Sequence, residues 1–337
     1  MTPLYAELGR ALLPEAALTI GALVVLAVDI FFGRTRSNVQ RIRVAAAIGI
    51  VALIAAAQGS MVAGTGGAAF GGVLMLDSLT LMTRLGVLLL GALTLGLLTG
   101  TPRQQNPAEY VAVILFATCG FTVMAAAQNL LIAFLALELA SLSLYVLAGF
   151  DQTRPASAEA ALKYFLVGGV SAAFLLFGFS LLYGLTGSIA LPEIAASLRT
   201  QPGSILLVIA LVMVLAAFGF KVAAAPFHLW APDVYQGAPA PSAALIASAS
   251  KLAGFALFVR LLWGGLHPAA TGELAGWVNV LAVISAVSLI LGNVAALAQS
   301  NVRRLLAYSA IAHAGALLLG VIAAGQFGPA ALYYLSL

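Results

Sequence analysis

Four ionisable residues fall inside apolar stretches of this sequence: Glu138, Lys221, Lys251 and, nearer the start of its stretch, Lys163. The chain has only three lysines, and all three are in this group; the short polar connections use arginine instead. Arginine is effectively always charged. A lysine withdrawn from water can have its pKa lowered until it releases and regains a proton near neutral pH. The division therefore points to lysines that carry protons. Among the acidic residues, Glu138 sits near the middle of an apolar stretch, whereas Glu15, Asp29, Asp77 and Glu109 are at stretch ends, within expected reach of water. An ionisable group at mid-membrane is costly and reads as functional by default.

Lys221 has the most informative surroundings, in the run Ala-Phe-Gly-Phe-Lys-Val-Ala-Ala-Ala-Pro-Phe-His-Leu-Trp-Ala-Pro-Asp. Pro226 removes a backbone donor and disfavours helix at Ala225, so the sequence predicts a helix that breaks about one turn beyond the lysine. Broken backbone at membrane depth is tolerated only where protein or water satisfies the freed groups, and transporters place ion sites at such breaks. His228 adds an imidazole with an ordinary pKa near 6.5, able to hand protons on or to satisfy the broken backbone.

Each residue also has a plainer reading. Lys163 follows Glu159 by four residues, so a helix-surface ion pair or snorkelling to the interface would account for it. Glu138 could belong to a structural ion pair. Lys251 could bind helix-end carbonyls. His313, in Tyr-Ser-Ala-Ile-Ala-His-Ala-Gly, reads first as a packing or hydrogen-bonding residue.

The elements that position these groups must cross a membrane. The 337 residues are 63% hydrophobic and 8% charged, against roughly 25% charged in soluble domains. At about 20 apolar residues per crossing, the sequence gives spans near 15–32, 44–63, 78–99, 109–127, 129–149, 158–184, 204–225, 241–263, 275–297 and 304–324. An eleventh would begin near 328 and is cut off at Leu337, so the chain is expected to be incomplete. The first apolar run is too long for a cleaved signal peptide. Arg34, Arg36, Arg41, Arg43, Arg103, Arg154, Arg303 and Arg304 fall after odd-numbered spans. The enrichment of cytoplasmic loops in Lys and Arg then puts the amino terminus outside. Arg10, Arg199, His267 and Glu273 fall on the opposite side. Cys119, the single cysteine, excludes a disulfide framework or cysteine metal site and reads as packing. The net charge of +4 is scattered and forms no basic face, so no nucleic-acid partner is expected.

Several runs resemble a known family across the whole chain: Leu-Leu-Pro-Glu at 12–15, Leu-Glu-Leu-Ala-Ser-Leu-Ser-Leu-Tyr-Val-Leu at 137–147, and Ala-Leu-Lys-Tyr-Phe at 161–165. The most specific is Phe-Lys-Val-Ala-Ala-Ala-Pro-Phe-His-Leu-Trp-Ala-Pro-Asp-Val-Tyr-Gln-Gly-Ala-Pro-Ala-Pro, 220–241; Arg-Arg-Leu-Leu-Ala-Tyr-Ser-Ala-Ile-Ala-His, 303–313, adds to it. They are similar to the antiporter-like membrane subunits of bacterial NADH-quinone oxidoreductase, respiratory complex I. Ala-Ser-Lys-Leu-Ala at 249–253 favours the subunit N branch.

The resemblance implies an all-α polytopic membrane protein, an antiporter-like bundle of about fourteen helices with two inverted five-helix repeats, each with a broken helix. This chain would be C-terminally truncated relative to that pattern. Residues 1–107 would be three amino-terminal helices, 108–263 the first repeat, and 264–337 an incomplete start of the second. Internal similarity is faint and does not by itself give repeats. The family pattern makes Glu138 and Lys221 a carboxylate–lysine pair and Lys251 the carrier along the central membrane axis, with Lys163 another path position. The further lysine of the second broken helix has no counterpart before Leu337.

The implied setting is the bacterial inner membrane, with other complex I membrane subunits as partners, antiporter-like ones among them. The implied activity is proton translocation coupled to electron transfer from NADH to quinone. NADH, flavin, iron-sulfur clusters and quinone would belong to the whole complex. This sequence has no glycine-rich nucleotide loop after a strand and no cysteine set for a cluster, so it is expected to bind no cofactor. A charge on Glu138 would favour the protonated form of Lys221, and weakening it would release the proton onward. Two charges about 6 Å apart at an effective dielectric near 20 interact by roughly 3 kcal/mol, enough for such a switch. The competing readings are a subunit of a multisubunit sodium-proton antiporter, against which Lys251 speaks, and a passive scaffold, against which the separation of lysines from arginines speaks.

Overall fold

The computed structural model describes residues 3–33, 36–101, 104–200, 203–270 and 276–327. Its helices in chain order are α1 (Pro3–Ala11), α2 (Leu13–Phe32), α3 (Asn38–Ala63), α4 (Ser78–Thr99), α5 (Pro107–Ala126), α6 (Leu130–Ala148) and α7 (Pro155–Thr186). They continue with α8 (Leu191–Thr200), α9 (Ile205–Val222), α10 (Trp230–Gly237), α11 (Ala240–Ala247), α12 (Ala249–Gly264), α13 (Trp277–Leu297) and α14 (Val302–Phe327). Between α3 and α4 a short hairpin pairs β1 (Gly67–Ala69) antiparallel with β2 (Leu74–Leu76).

Helix starts follow local chemistry. Ser37 caps α3 in a reciprocal capping box with Gln40, while Asp77, Asn129 and Ser204 accept from the first turns of α4, α6 and α9. These side chains satisfy amides that a helix cannot satisfy itself. Pro107 and Pro155 open α5 and α7, where a missing N–H costs nothing.

Among the described residues ten helical stretches are long and apolar enough to cross a membrane, and they coincide with the ten expected spans. The eleventh expected span lies outside the described residues, as do Arg34, Arg103 and Glu273. α5 is the axis of the bundle, packing on α2, α3, α4, α6 and α12. It is apolar all round, as a helix buried on every side must be; 78% of its spanning stretch is buried, against 22% for α13. Cys119 is a free, buried packing residue on α5.

The connections carrying arginine gather at one end of the bundle. Asn38 donates to Gln104 O, and a cavity at that end is lined by Gln104, Arg154 and Arg303. The other end is stitched by backbone. Gln128 N donates to Val73 O, Leu130 N to Ile189 O, and Leu191 N to Gln128 O, fixing the α5–α6 corner between the hairpin and the start of α8.

Three expectations need correction. Arginine is not confined to connections: Arg84 on α4 and Arg260 on α12 are buried within spans. Glu15 does not reach water; it is buried and pairs with Arg84 at 2.7 Å. The span over 241–263 is not continuous, because Ser248 interrupts it between α11 and α12.

Candidate functional site

The site is assembled by α6, the break after α9, α12 and α14. α9 ends at Val222, one residue past Lys221, and Ala223 takes a left-handed conformation (φ 57°, ψ 42°). The expected break after the lysine is therefore present. Its freed backbone groups are satisfied by protein, as membrane depth requires. Trp230 Nε1 donates to Phe220 O at 3.1 Å, Ala224 N donates to Gly219 O, and Ser288 Oγ on α13 accepts from Ala225 N at 2.9 Å. Trp230 is held by Tyr164, stacked on it with ring centroids 4.4 Å apart.

Lys221 is buried, and its Nζ donates to Ser141 Oγ on α6 at 3.0 Å. Glu138 precedes Ser141 by three residues and shares its face of α6. It is half-buried at the ninth position of a nineteen-residue helix, and its Oε1 is buried with no hydrogen-bond partner. Among the described residues Glu138 and Lys221 form no contact ion pair, and the side chain that Lys221 touches is Ser141.

Lys251 stands in the first turn of α12, directly after the Ser248 interruption. It is buried and donates to Ala310 O on α14 at 2.6 Å. That acceptor lies well inside α14, so the partner is a mid-helix carbonyl and not a helix end. A cavity of about 470 Å³ adjoins the amine, lined by Thr83, Ser248, Ser309 and His313 among apolar side chains. His313 Nδ1 lies 2.8 Å from Ser309 O, a hydrogen-bonding role of the expected kind. Lys221 is thus joined to α6 through Ser141, and its stem packs on α12, the helix that carries Lys251.

Lys163 is elsewhere. It pairs with Glu159 at 2.7 Å, as its spacing predicted, and with Asp233 on α10 at 2.6 Å. Arg304 on α14 holds the other oxygen of Asp233 at 2.6 Å. Burial would raise the pKa of Asp233, but hydrogen bonds from Lys163 and Arg304 outweigh it and hold the carboxyl below its ordinary range. This cluster ties α7, α10 and α14 at the surface. His228 lies in the break, buried, with Nδ1 lacking a partner, and no hydrogen bond joins it to Lys221 among the described residues.

Sequence reasoning missed Ser141, Asp233 and the arginine pairs. Asp77 caps α4 and meets Arg260 at 2.8 Å. Burial opposes its ionisation, yet Arg260 holds its pKa below the ordinary value. The signal available was that Arg84 and Arg260 stand among apolar residues as plainly as the lysines do.

The family described as NADH:quinone oxidoreductase/Mrp antiporter, TM, matches residues 127–337. The chain is 48% identical to NADH-quinone oxidoreductase subunit N 2 of Acidobacterium capsulatum, over 98% of this chain and 69% of that protein. It is 44% identical to the subunit N 2 of Roseiflexus castenholzii, over 91% of this chain and 61% of that protein. Among solved structures, it is similar to a chain of respiratory complex I from Thermus thermophilus with bound aureothin. The identity is 34% and the TM-score 0.77, over 96% of this chain and 66% of that one. A chain of the Mrp complex from Dietzia superposes with a TM-score of 0.76 over 99% of this chain and 62% of its own length; at 21% identity this is a likeness of fold alone. The chain spans about two thirds of the length of these proteins.

Proposed function

The chain belongs to the NADH-quinone oxidoreductase subunit N family, and from that premise we propose that it is the part of a proton-translocating membrane subunit that carries the first half of the proton path. The observation that carries the reading is the group Glu138, Lys221 and Lys251, with both lysines buried and Lys221 at a helix break whose backbone is satisfied from two neighbouring elements, α10 and α13. Permanently charged groups are elsewhere, in pairs: Arg84 with Glu15 and Arg260 with Asp77. Glu138, Lys221 and Lys251 are groups able to gain and lose protons. On this reading α5 to α12 are the first repeat, by the division at 107 and 263, and the arginine-bearing end faces the cytoplasm, because cytoplasmic loops are enriched in Lys and Arg.

Lys221 takes up a proton while Glu138 is charged and passes it toward Lys251 when that attraction weakens. Lys251, beside the polar-lined cavity, is the next carrier along the axis. Lys163 acts on this path through the Asp233 cluster, and His228 lies alongside it in the break. The redox steps, from NADH through flavin and iron-sulfur clusters to quinone, belong to partner subunits, whose conformational changes would reach this chain through Glu138.

The test is Lys221→Ala in the complete complex, with NADH-driven proton uptake measured in inverted vesicles. Uptake should fall strongly at equal assembly; unchanged uptake would sink the assignment. A complex that instead exchanges sodium for protons without oxidising NADH would favour the antiporter reading.

A further inference from the structure

Glu138, Ser141 and Tyr145 lie on one face of α6, at spacings of three and four residues. The middle residue is the one that touches the buried lysine, and it is 2% exposed. Ser60, Ser143 and Ser288, also in helices, donate their hydroxyl to the carbonyl four residues back. Ser141 makes no such bond to Leu137 among the described residues. Its hydroxyl accepts from Lys221, and Tyr145 lies one turn further along the same face. Tyr145 is fixed in turn: its ring sits edge-on to Tyr164 at 4.8 Å, and its hydroxyl occupies space that any side chain at Gly168 would fill.

A hydroxyl accepts and donates at once. Ser141 can therefore accept from the Lys221 ammonium while its own proton is free to turn elsewhere. Coulomb attraction falls inversely with distance, so a hydroxyl that holds the amine out of contact with Glu138 weakens their attraction relative to direct contact. A contact pair in a low-dielectric interior would hold the lysine proton too firmly for transfer.

We propose that Ser141 is a positioning residue of the path, holding the Lys221 amine so that it couples to Glu138 at a distance and does not collapse onto it. This rests on the reading of Lys221 as a proton carrier.

The experiment places Ser141→Ala and Ser141→Thr in the complete complex, each alone and with Glu138→Gln. Protons taken up per NADH oxidised are measured in proteoliposomes at matched assembly. Losing a hydrogen bond to a charged group should cut uptake by roughly tenfold in S141A, and S141T should restore it to within about twofold of the native complex. The S141A effect should vanish on the residual uptake of E138Q, because the coupling it tunes is already gone. Native uptake in S141A, or the same loss in both backgrounds, overturns the proposal and leaves Ser141 a packing residue. If S141A fails to assemble, Ser141→Cys carries the test: equal uptake in S141C and S141T overturns the proposal, and loss in S141C alone supports it. Normal uptake in K221A would instead remove the proton-carrier reading, whereas an inactive K221A beside a normal S141A removes the role of Ser141 alone.

Discussion

The stem of Lys221 runs past Gly254 on α12, three residues beyond Lys251. A Cβ placed at Gly254 would meet Lys221 Cγ at 3.4 Å and Val222 Cγ1 at 3.8 Å. The two lysines are thus linked by close packing of the helices that carry them, although their amines have different partners.

Those distances predict a graded response. At 3.4 Å a single methyl makes an ordinary contact, so Gly254→Ala should assemble and pump nearly as the native protein does. Gly254→Leu adds atoms where the lysine stem lies, and overpacking a closed interior costs about 1–3 kcal/mol. Uptake in inverted vesicles should then fall severalfold. Normal uptake in G254L would show that Lys221 does not depend on this space.

Ser288 gives a second test of how the break is held. Its hydroxyl is the partner of Ala225 N at 2.9 Å, and it also donates to Ile284 O on its own helix. Ser288→Ala leaves the amide unsatisfied, at a cost of about 1–3 kcal/mol. Ser288→Thr keeps the hydroxyl. Lower thermal stability in detergent for S288A and not for S288T is the expected outcome; equal melting in both would mean that the break is held without this bond.

Much of this was legible in the sequence because lipid imposes simple rules. Apolar length fixed the ten spans, and Pro226 announced the break after Lys221. The interruption at Ser248 has neither proline nor glycine beside it and so gave no signal. Ser141 is a small polar residue of a kind that usually bonds to its own helix, and only tertiary packing aims it at Lys221. Glu15 looked solvated because it lies three residues into its helix, but Arg84 arrives from a helix 69 positions away. Asp233 likewise acquires its role from Lys163 and Arg304, 70 and 71 positions away. Pairings of that range cannot be read from local spacing.

The Glu15–Arg84 pair should respond asymmetrically to substitution. Both side chains are buried, at 9% and 2% exposure. Removing one partner from a buried pair strands a charge and typically costs about 3–5 kcal/mol, whereas replacing both with apolar groups of similar volume is often neutral. Arg84→Met alone should sharply reduce the folded protein recovered in detergent, and adding Glu15→Leu should restore most of it. A double variant as poor as R84M would indicate that the guanidinium bonds to Ala11 O and Thr122 O matter more than the charge pair.

The partly exposed Asp233 cluster should make stability depend on acid pH. Lys163 and Arg304 hold the Asp233 pKa below its ordinary value, overcoming the opposing effect of partial burial. A carboxylate near 3.9 when unfolded and lower when folded contributes its full stabilisation above about pH 4 and loses it as pH falls through the folded value. The pairs are partly exposed, so solvent screening keeps their contribution small. Asp233→Asn should therefore melt a few degrees below the native protein at pH 7, and the difference should close as the pH is taken below about 4. Melting curves of both proteins in the same detergent at pH 7, 5 and 3.5 make the comparison, with the difference between them cancelling the other carboxylates that titrate in this range. A gap that persists undiminished at the lowest pH would mean that Asp233 stabilises the α7–α10–α14 junction through shape or neutral hydrogen bonding and not through its charge.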